Sequence, residues 1–110
     1  MSLEEIIKAF EAADQSYIPV MGFNNPHSYR GDYTDLGVEP AYGVSVGDML
    51  RTLREALGST YQGWKGGEYT MRDYSYVHIA AWGNVGDRIG PVLVAYLTGD
   101  FSRVPMSYGA

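Results

Sequence analysis

Ser75-Tyr76-Val77-His78-Ile79-Ala80-Ala81-Trp82 alternates as a strand does, with Tyr76, His78, Ala80 and Trp82 on one face and Val77, Ile79 and Ala81 on the other. β-Branched and aromatic residues suit a pleated, half-buried surface, so this stretch sets the second half of the chain as sheet. Downstream, Gly83-Asn84-Val85-Gly86-Asp87 has the composition of a hairpin loop. Ile89 to Leu97 is then expected to return as a largely apolar strand, with Pro91 marking an edge or a bulge. Upstream, Glu68 to Arg72 is a further expected strand, entered from the glycines of Trp64-Lys65-Gly66-Gly67.

The first half adds two helices. Leu3, Ile6, Ile7 and Phe10 fall at the three-and-four spacing of one helical face, which predicts a helix from about residue 3 to 14. Ser2 followed by Glu5 matches a capping box, and Glu4 and Glu5 sit near the positive end of the helix dipole. Val46, Met49, Leu50, Leu53 and Leu57 repeat the stripe, opened by Ser45 with Asp48 and stopped by Gly58. Between them, Tyr17 to Phe23 is expected to be a short strand interrupted by Pro19. Asn24 to Asp32 crowds turn-forming residues and is expected to be a loop, and Tyr33 to Pro40 is expected to be extended. Phe101 to Ala110 is expected to be irregular. The sum is an α+β fold: two helices packed on an antiparallel sheet of about 4–5 strands, in a single domain over residues 1–110.

Composition narrows the function classes. The chain has 110 residues, enough for one domain with a core of its own, and no cysteine, which excludes disulfides, thiolate metal sites and a cysteine nucleophile. Its start lacks the basic and apolar regions of a secretory signal, and no apolar run approaches the roughly 20 residues that cross a bilayer. A soluble, cytoplasmic protein is therefore expected. The net charge of −5 divides into −6 over residues 1–50 and +1 over residues 51–110. So acidic a chain has no electrostatic footprint for a nucleic-acid polymer, whereas a compact phosphate ligand needs only a few converging bases. Ten tyrosines and fourteen glycines stand out, suiting a Tyr-rich sheet or an interface equally.

Two clusters carry chemistry. In Asn25-Pro26-His27-Ser28-Tyr29-Arg30-Gly31-Asp32-Tyr33, Arg30 offers fork-shaped donors to a phosphate or carboxylate, and Ser28 a neutral donor. Tyr29 or Tyr33 offers a stacking face, and Asn25 and His27 add polar groups. The bland alternative pairs Arg30 with Asp32 or Asp35 and leaves the rest to stabilise a turn. In Tyr61-Gln62-Gly63-Trp64-Lys65-Gly66-Gly67-Glu68-Tyr69-Thr70-Met71, Gly66 and Gly67 expose backbone amides and Lys65 sets a cation beside Trp64, with Tyr61, Glu68 and Tyr69 flanking them. The spacing is not that of a P-loop and no helix follows, so ATP hydrolysis is not implied; a plain glycine-rich turn is the alternative.

No catalytic motif is present: no Gly-x-Ser-x-Gly elbow, and only two histidines, distant in sequence. No metal or cofactor is implied. His78 suits a satisfied sheet histidine, while His27 with Asp32, or Glu68 alone, would be the general base of any small hydrolase or transferase.

The strings Asn25-Pro26-His27-Ser28-Tyr29-Arg30-Gly31 and Tyr61-Gln62-Gly63-Trp64-Lys65-Gly66-Gly67-Glu68-Tyr69 resemble those of small bacteriophage-associated proteins, over most of residues 20–82. By analogy of size and residue style, the chain is similar to phage signal sponges, which withhold cyclic nucleotides or ADP-ribose derivatives from bacterial immune effectors. That resemblance implies sequestration of a small nucleotide-like ligand without turnover, with Arg30, Lys65, Ser28, Tyr29, Tyr61, Trp64 and Tyr69 supplying cations, donors and stacking faces. The acidic net charge departs from what an anion binder carries. Because a domain this small has little concave surface, a homo-oligomer is expected. The rival reading is a protein-binding inhibitor that uses its Tyr and Trp side chains against a host protein.

Overall fold

Ser2 opens the first helix, α1 (Leu3–Glu11), with the expected capping box. Its Oγ accepts from the Glu5 N–H at 3.3 Å, and the Glu5 carboxylate accepts from the Ser2 N–H at 2.9 Å. These bonds, the Ser2 backbone one foremost, hold the Glu5 carboxyl below its ordinary value. The next two amides, of Leu3 and Glu4, donate to the Ser75 and Asp73 carbonyls, tying the helix start to the turn before the fifth strand. The helix is shorter than its stripe predicts. The Gln15 amide donates to the Phe10 and Ala13 carbonyls, and Asp14 accepts from the backbone and hydroxyl of Ser16, which closes the end as a turn.

In this computed structural model the described residues are 1–29, 35–62, 68–81 and 86–100. The second helix, α2 (Val46–Ala56), is capped by the Ser45 hydroxyl accepting from the Asp48 N–H at 3.1 Å, and Gly58 follows its end at a φ of 82°. Of the strand expected from Tyr17 to Phe23, only Gly22 and Phe23 are strand; the Tyr17 carbonyl, with that of Gln15, is used elsewhere. These two carbonyls accept from the Val46 and Gly47 amides, so residues 15–17 serve the open end of α2. Arg54 reaches Glu11 at 2.6 Å across the exposed side of the α1–α2 pair.

Ile89 to Leu97 is a correction: a third helix, α3 (Pro91–Thr98), stands where a strand was expected. Pro91 is a helix starter at the first turn rather than an edge marker, and Gly99 ends the helix in the left-handed region at a φ of 71°. Val94, Ala95, Leu97 and Thr98 are buried, leaving no polar stripe to betray a period of 3.6.

The sheet is mixed rather than antiparallel, a second correction. Strand β1 (Gly22–Ser28) pairs antiparallel with β2 (Leu36–Ala41), while β2 pairs parallel with β5 (Val77–Ile79). Then β5 pairs antiparallel with β6 (Asp87–Arg88), giving the order β1-β2-β5-β6. The parallel pair follows from the long crossover between β2 and β5, which carries α2. That crossover also carries a separate two-stranded hairpin, β3 (Thr60–Gln62) with β4 (Glu68–Thr70).

Asn24 to Ser28 is strand, not loop. The turn-formers are absorbed by a bulge between Asn24 and Pro26, where Asn25 takes a φ of 47°. Pro26 is tolerated because β1 is an edge. One face of the sheet packs on the helices: Phe23, Leu36, Val38 and Val77 are fully buried with Phe10, Met49 and Leu53. The opposite face carries Gly37 and its neighbours.

Candidate functional site

Gly37 is the centre of that second face. In the sheet register it lies between His27 of β1 and His78 of β5. A Cβ on Gly37 would stand 2.3 Å from Cε1 of His27, so glycine is what lets the imidazole lie across β2. From there His27 Nε2 reaches the Ala80 carbonyl at 2.9 Å. A carbonyl only accepts, so Nε2 carries the proton.

His78 is held by a different group. Its Nε2 donates to Asp35 Oδ2 at 3.0 Å, and the two side chains are 12% and 20% exposed. Its Nδ1 is buried and has no hydrogen-bond partner among the described residues. The expected satisfied sheet histidine is thus met at Nε2 but not, among the described residues, at Nδ1. A buried ring nitrogen left this way costs about 1–3 kcal/mol.

Tyr29 closes the cluster. Its backbone N–H donates to the Asp35 carbonyl at 3.0 Å, extending the β1–β2 ladder by one rung. Its ring stacks on His78, with centroids 3.6 Å apart and planes 5° from parallel. The phenol oxygen accepts from the Gly86 N–H at 3.3 Å. Gly86 lies so close to β5 that a Cβ would fall 1.8 Å from the Ile79 carbonyl oxygen. Beyond His78, Arg88 stands opposite it in register, with its guanidinium carbon 4.6 Å from the Tyr76 ring centroid. Beside Arg88 a depression of about 370 Å³ opens between β6 and α3, lined also by Asp87, Pro91, Val92, Leu93 and Tyr96.

Of the residues expected from sequence, His27 and Tyr29 come together here. Asn25 sits exposed at the bulge, its Nδ2 3.5 Å from Glu39 Oε2. Ser28 ends β1 opposite Leu36. In the hairpin, Tyr61 stands opposite Tyr69, with Glu68 opposite Gln62. Arg30, Tyr33, Trp64, Lys65, Gly66 and Gly67 lie outside the described residues. In sequence Asp35 offers itself only as a partner for Arg30, whereas in the structure its carboxylate is engaged by His78. No motif in the sequence marks Gly37, Tyr76 or Arg88. The alternation of Tyr76 with His78 was visible in sequence, but the register that sets Gly37 and Arg88 beside His78 was not.

What the cluster offers is flat rings, an imidazole donor already used, an enclosed imidazole acceptor, and a cation at one side. Among the described residues no group of three His, Asp or Glu side chains could hold a metal ion, and no helix is long and apolar enough to cross a membrane. No family profile, curated protein or solved structure matches this chain.

Proposed function

We propose that the protein binds and sequesters a small nucleotide-type ligand without turning it over, as a phage-type anti-defence protein would withhold a cyclic nucleotide or ADP-ribose derivative in the host cytoplasm. The observation that carries this reading is the gathering of His27, Tyr29, Asp35 and His78 around Gly37 on the face of the sheet that the helices leave open. Aromatic and imidazole faces suit a nucleobase, whose binding by stacking is tolerant of ring identity. The enclosed Nδ1 of His78 favours holding over hydrolysis, because an attacking water has no approach to that base. By residue type, Arg30, Trp64 and Lys65 would add cations and a stacking face suited to the same ligand, and a homo-oligomer would deepen the site.

The reading is tested by incubating the protein with AMP, cyclic AMP, cyclic di-AMP and ADP-ribose, then denaturing it and identifying what is released. Intact ligand retained through a desalting column supports capture. A chemically altered ligand supports the second reading, a small hydrolase or transferase using His27 or Glu68 as its base.

A further inference from the structure

We infer that Arg88 holds the anionic group of the ligand, so that the ligand joins a flat ring to a phosphate within one compact molecule. This rests on the capture reading above and names the residue that the sequence, in offering Arg30 and Lys65, does not single out.

Three observations converge on Arg88. It is opposite His78 in an antiparallel pair, which places both residues on the open face, one strand apart. Adjacent strands lie about 4.8 Å apart, so a ring at the Tyr29–His78 stack and a phosphate at Arg88 fit one small molecule. Next, the guanidinium is set over the Tyr76 ring at 4.6 Å. A contact with a ring face holds the cation near the sheet without a carboxylate, and a guanidinium carries a fork of N–H donors that matches phosphate oxygens. Finally, Arg88 has no carboxylate partner among the described residues. Among the described residues Lys8, Arg51 and Arg54 are paired with Glu4, Asp48 and Glu11, whereas Arg88 is in no ion pair. Arg72 also lacks one, but it lies on the turn before β5 rather than on the sheet. The depression of about 370 Å³ beside Arg88, lined by Asp87 as well as by Pro91, Val92, Leu93 and Tyr96, gives the remainder of a mononucleotide-sized molecule a largely apolar wall.

Calorimetric titration of the full chain with AMP, cyclic AMP, cyclic di-AMP and ADP-ribose, with adenosine as the phosphate-free reference, tests this directly. For the tightest of the four, Arg88→Gln is expected to weaken binding by about tenfold or more, while adenosine binding stays as in the unaltered protein. Arg88→Lys should recover only part of the loss, because an ammonium lacks the planar fork. Arg51→Gln, which removes a cation already paired with Asp48, should change nothing. Circular dichroism establishes that each variant is folded. If a phosphate-bearing nucleotide binds Arg88→Gln as tightly as the unaltered protein, the assignment of Arg88 is overturned and capture stands. If none of the four nucleotides binds the unaltered protein, capture falls and the assignment falls with it.

Discussion

The two faces of the four-stranded sheet are built by different physics. On the helix side, Leu36, Val38 and Val77 are fully buried against Phe10, Met49 and Leu53, and what matters there is volume and apolarity. On the open side, Gly37 exists to make room, His27 reaches past it to a carbonyl, and His78 is oriented by Asp35 and covered by Tyr29. There the determinant is register. The helix side gives the chain a fold that forms, whereas the open side gives it a specific surface whose cost, including the His78 Nδ1 that has no partner among the described residues, the helix side must offset.

The largest effect expected from breaking this contrast is on the helix side. Leu36→Ala should lower unfolding free energy by about 2–5 kcal/mol in chemical denaturation, since the cavity lies in the packed core. One residue earlier and on the other face, Asp35→Ala strips His78 of its Nε2 partner. The expected loss is smaller, about 1–3 kcal/mol. It should come with a changed His78 ring signal in nuclear magnetic resonance spectra, which the core variant would leave alone. A loss from Asp35→Ala equal to that from Leu36→Ala would erase the distinction drawn between the faces.

How much of this was legible in the sequence follows the same division. The helix faces could be read because capping residues and a period of 3.6 are local, and Ser2, Glu5, Ser45 and Gly58 act where they stand. The third helix escaped because Pro91–Thr98 is apolar all round and rich in β-branched residues, so only Pro91 and Gly99 mark it. Strand β1 escaped for the opposite reason: Asn24, Asn25 and Pro26 prefer turns, and a bulge accommodates them without ending the strand. The open face was legible only in part. His27 and Tyr29 stood out by type, yet their neighbours depend on the parallel β2–β5 pairing that brings Asp35 to His78 across 43 positions of sequence.

Gly37→Ala sharpens the comparison further. The added methyl meets the far end of the His27 side chain, which can swing away, so the cost is the His27–Ala80 hydrogen bond, about 1 kcal/mol. Ligand binding should suffer far more than stability, because the ring is driven off the face. A variant with unaltered His27 resonances and unaltered binding would show that the glycine has no such role.

The smallest expected effect lies at the helix start and depends on pH. The Glu5 carboxyl is held below its ordinary value by the Ser2 bonds, so its stabilisation is present above the ordinary carboxylate range and is lost as pH falls through the lowered value. Glu5→Gln should flatten that part of the stability–pH curve and leave it unchanged near neutrality apart from a small offset. Asp48, lowered by its bonds to Ser45 and Arg51, should behave in the same way at the second helix. A curve for Glu5→Gln as steep as that of the unaltered protein would remove the capping box from the account.

The two histidines are the only ones in the sequence, so their ring nitrogens can be followed without ambiguity by long-range ¹H–¹⁵N spectroscopy during titration with AMP, cyclic AMP, cyclic di-AMP and ADP-ribose. A ligand held around Gly37 should shift both rings together with the Arg88 side chain, at one stoichiometry, and leave the methyl signals of Leu53 and Val46 on the helix side in place. Binding that moves neither ring, or that perturbs the helix side instead, would contradict the placement of the ligand on the open face.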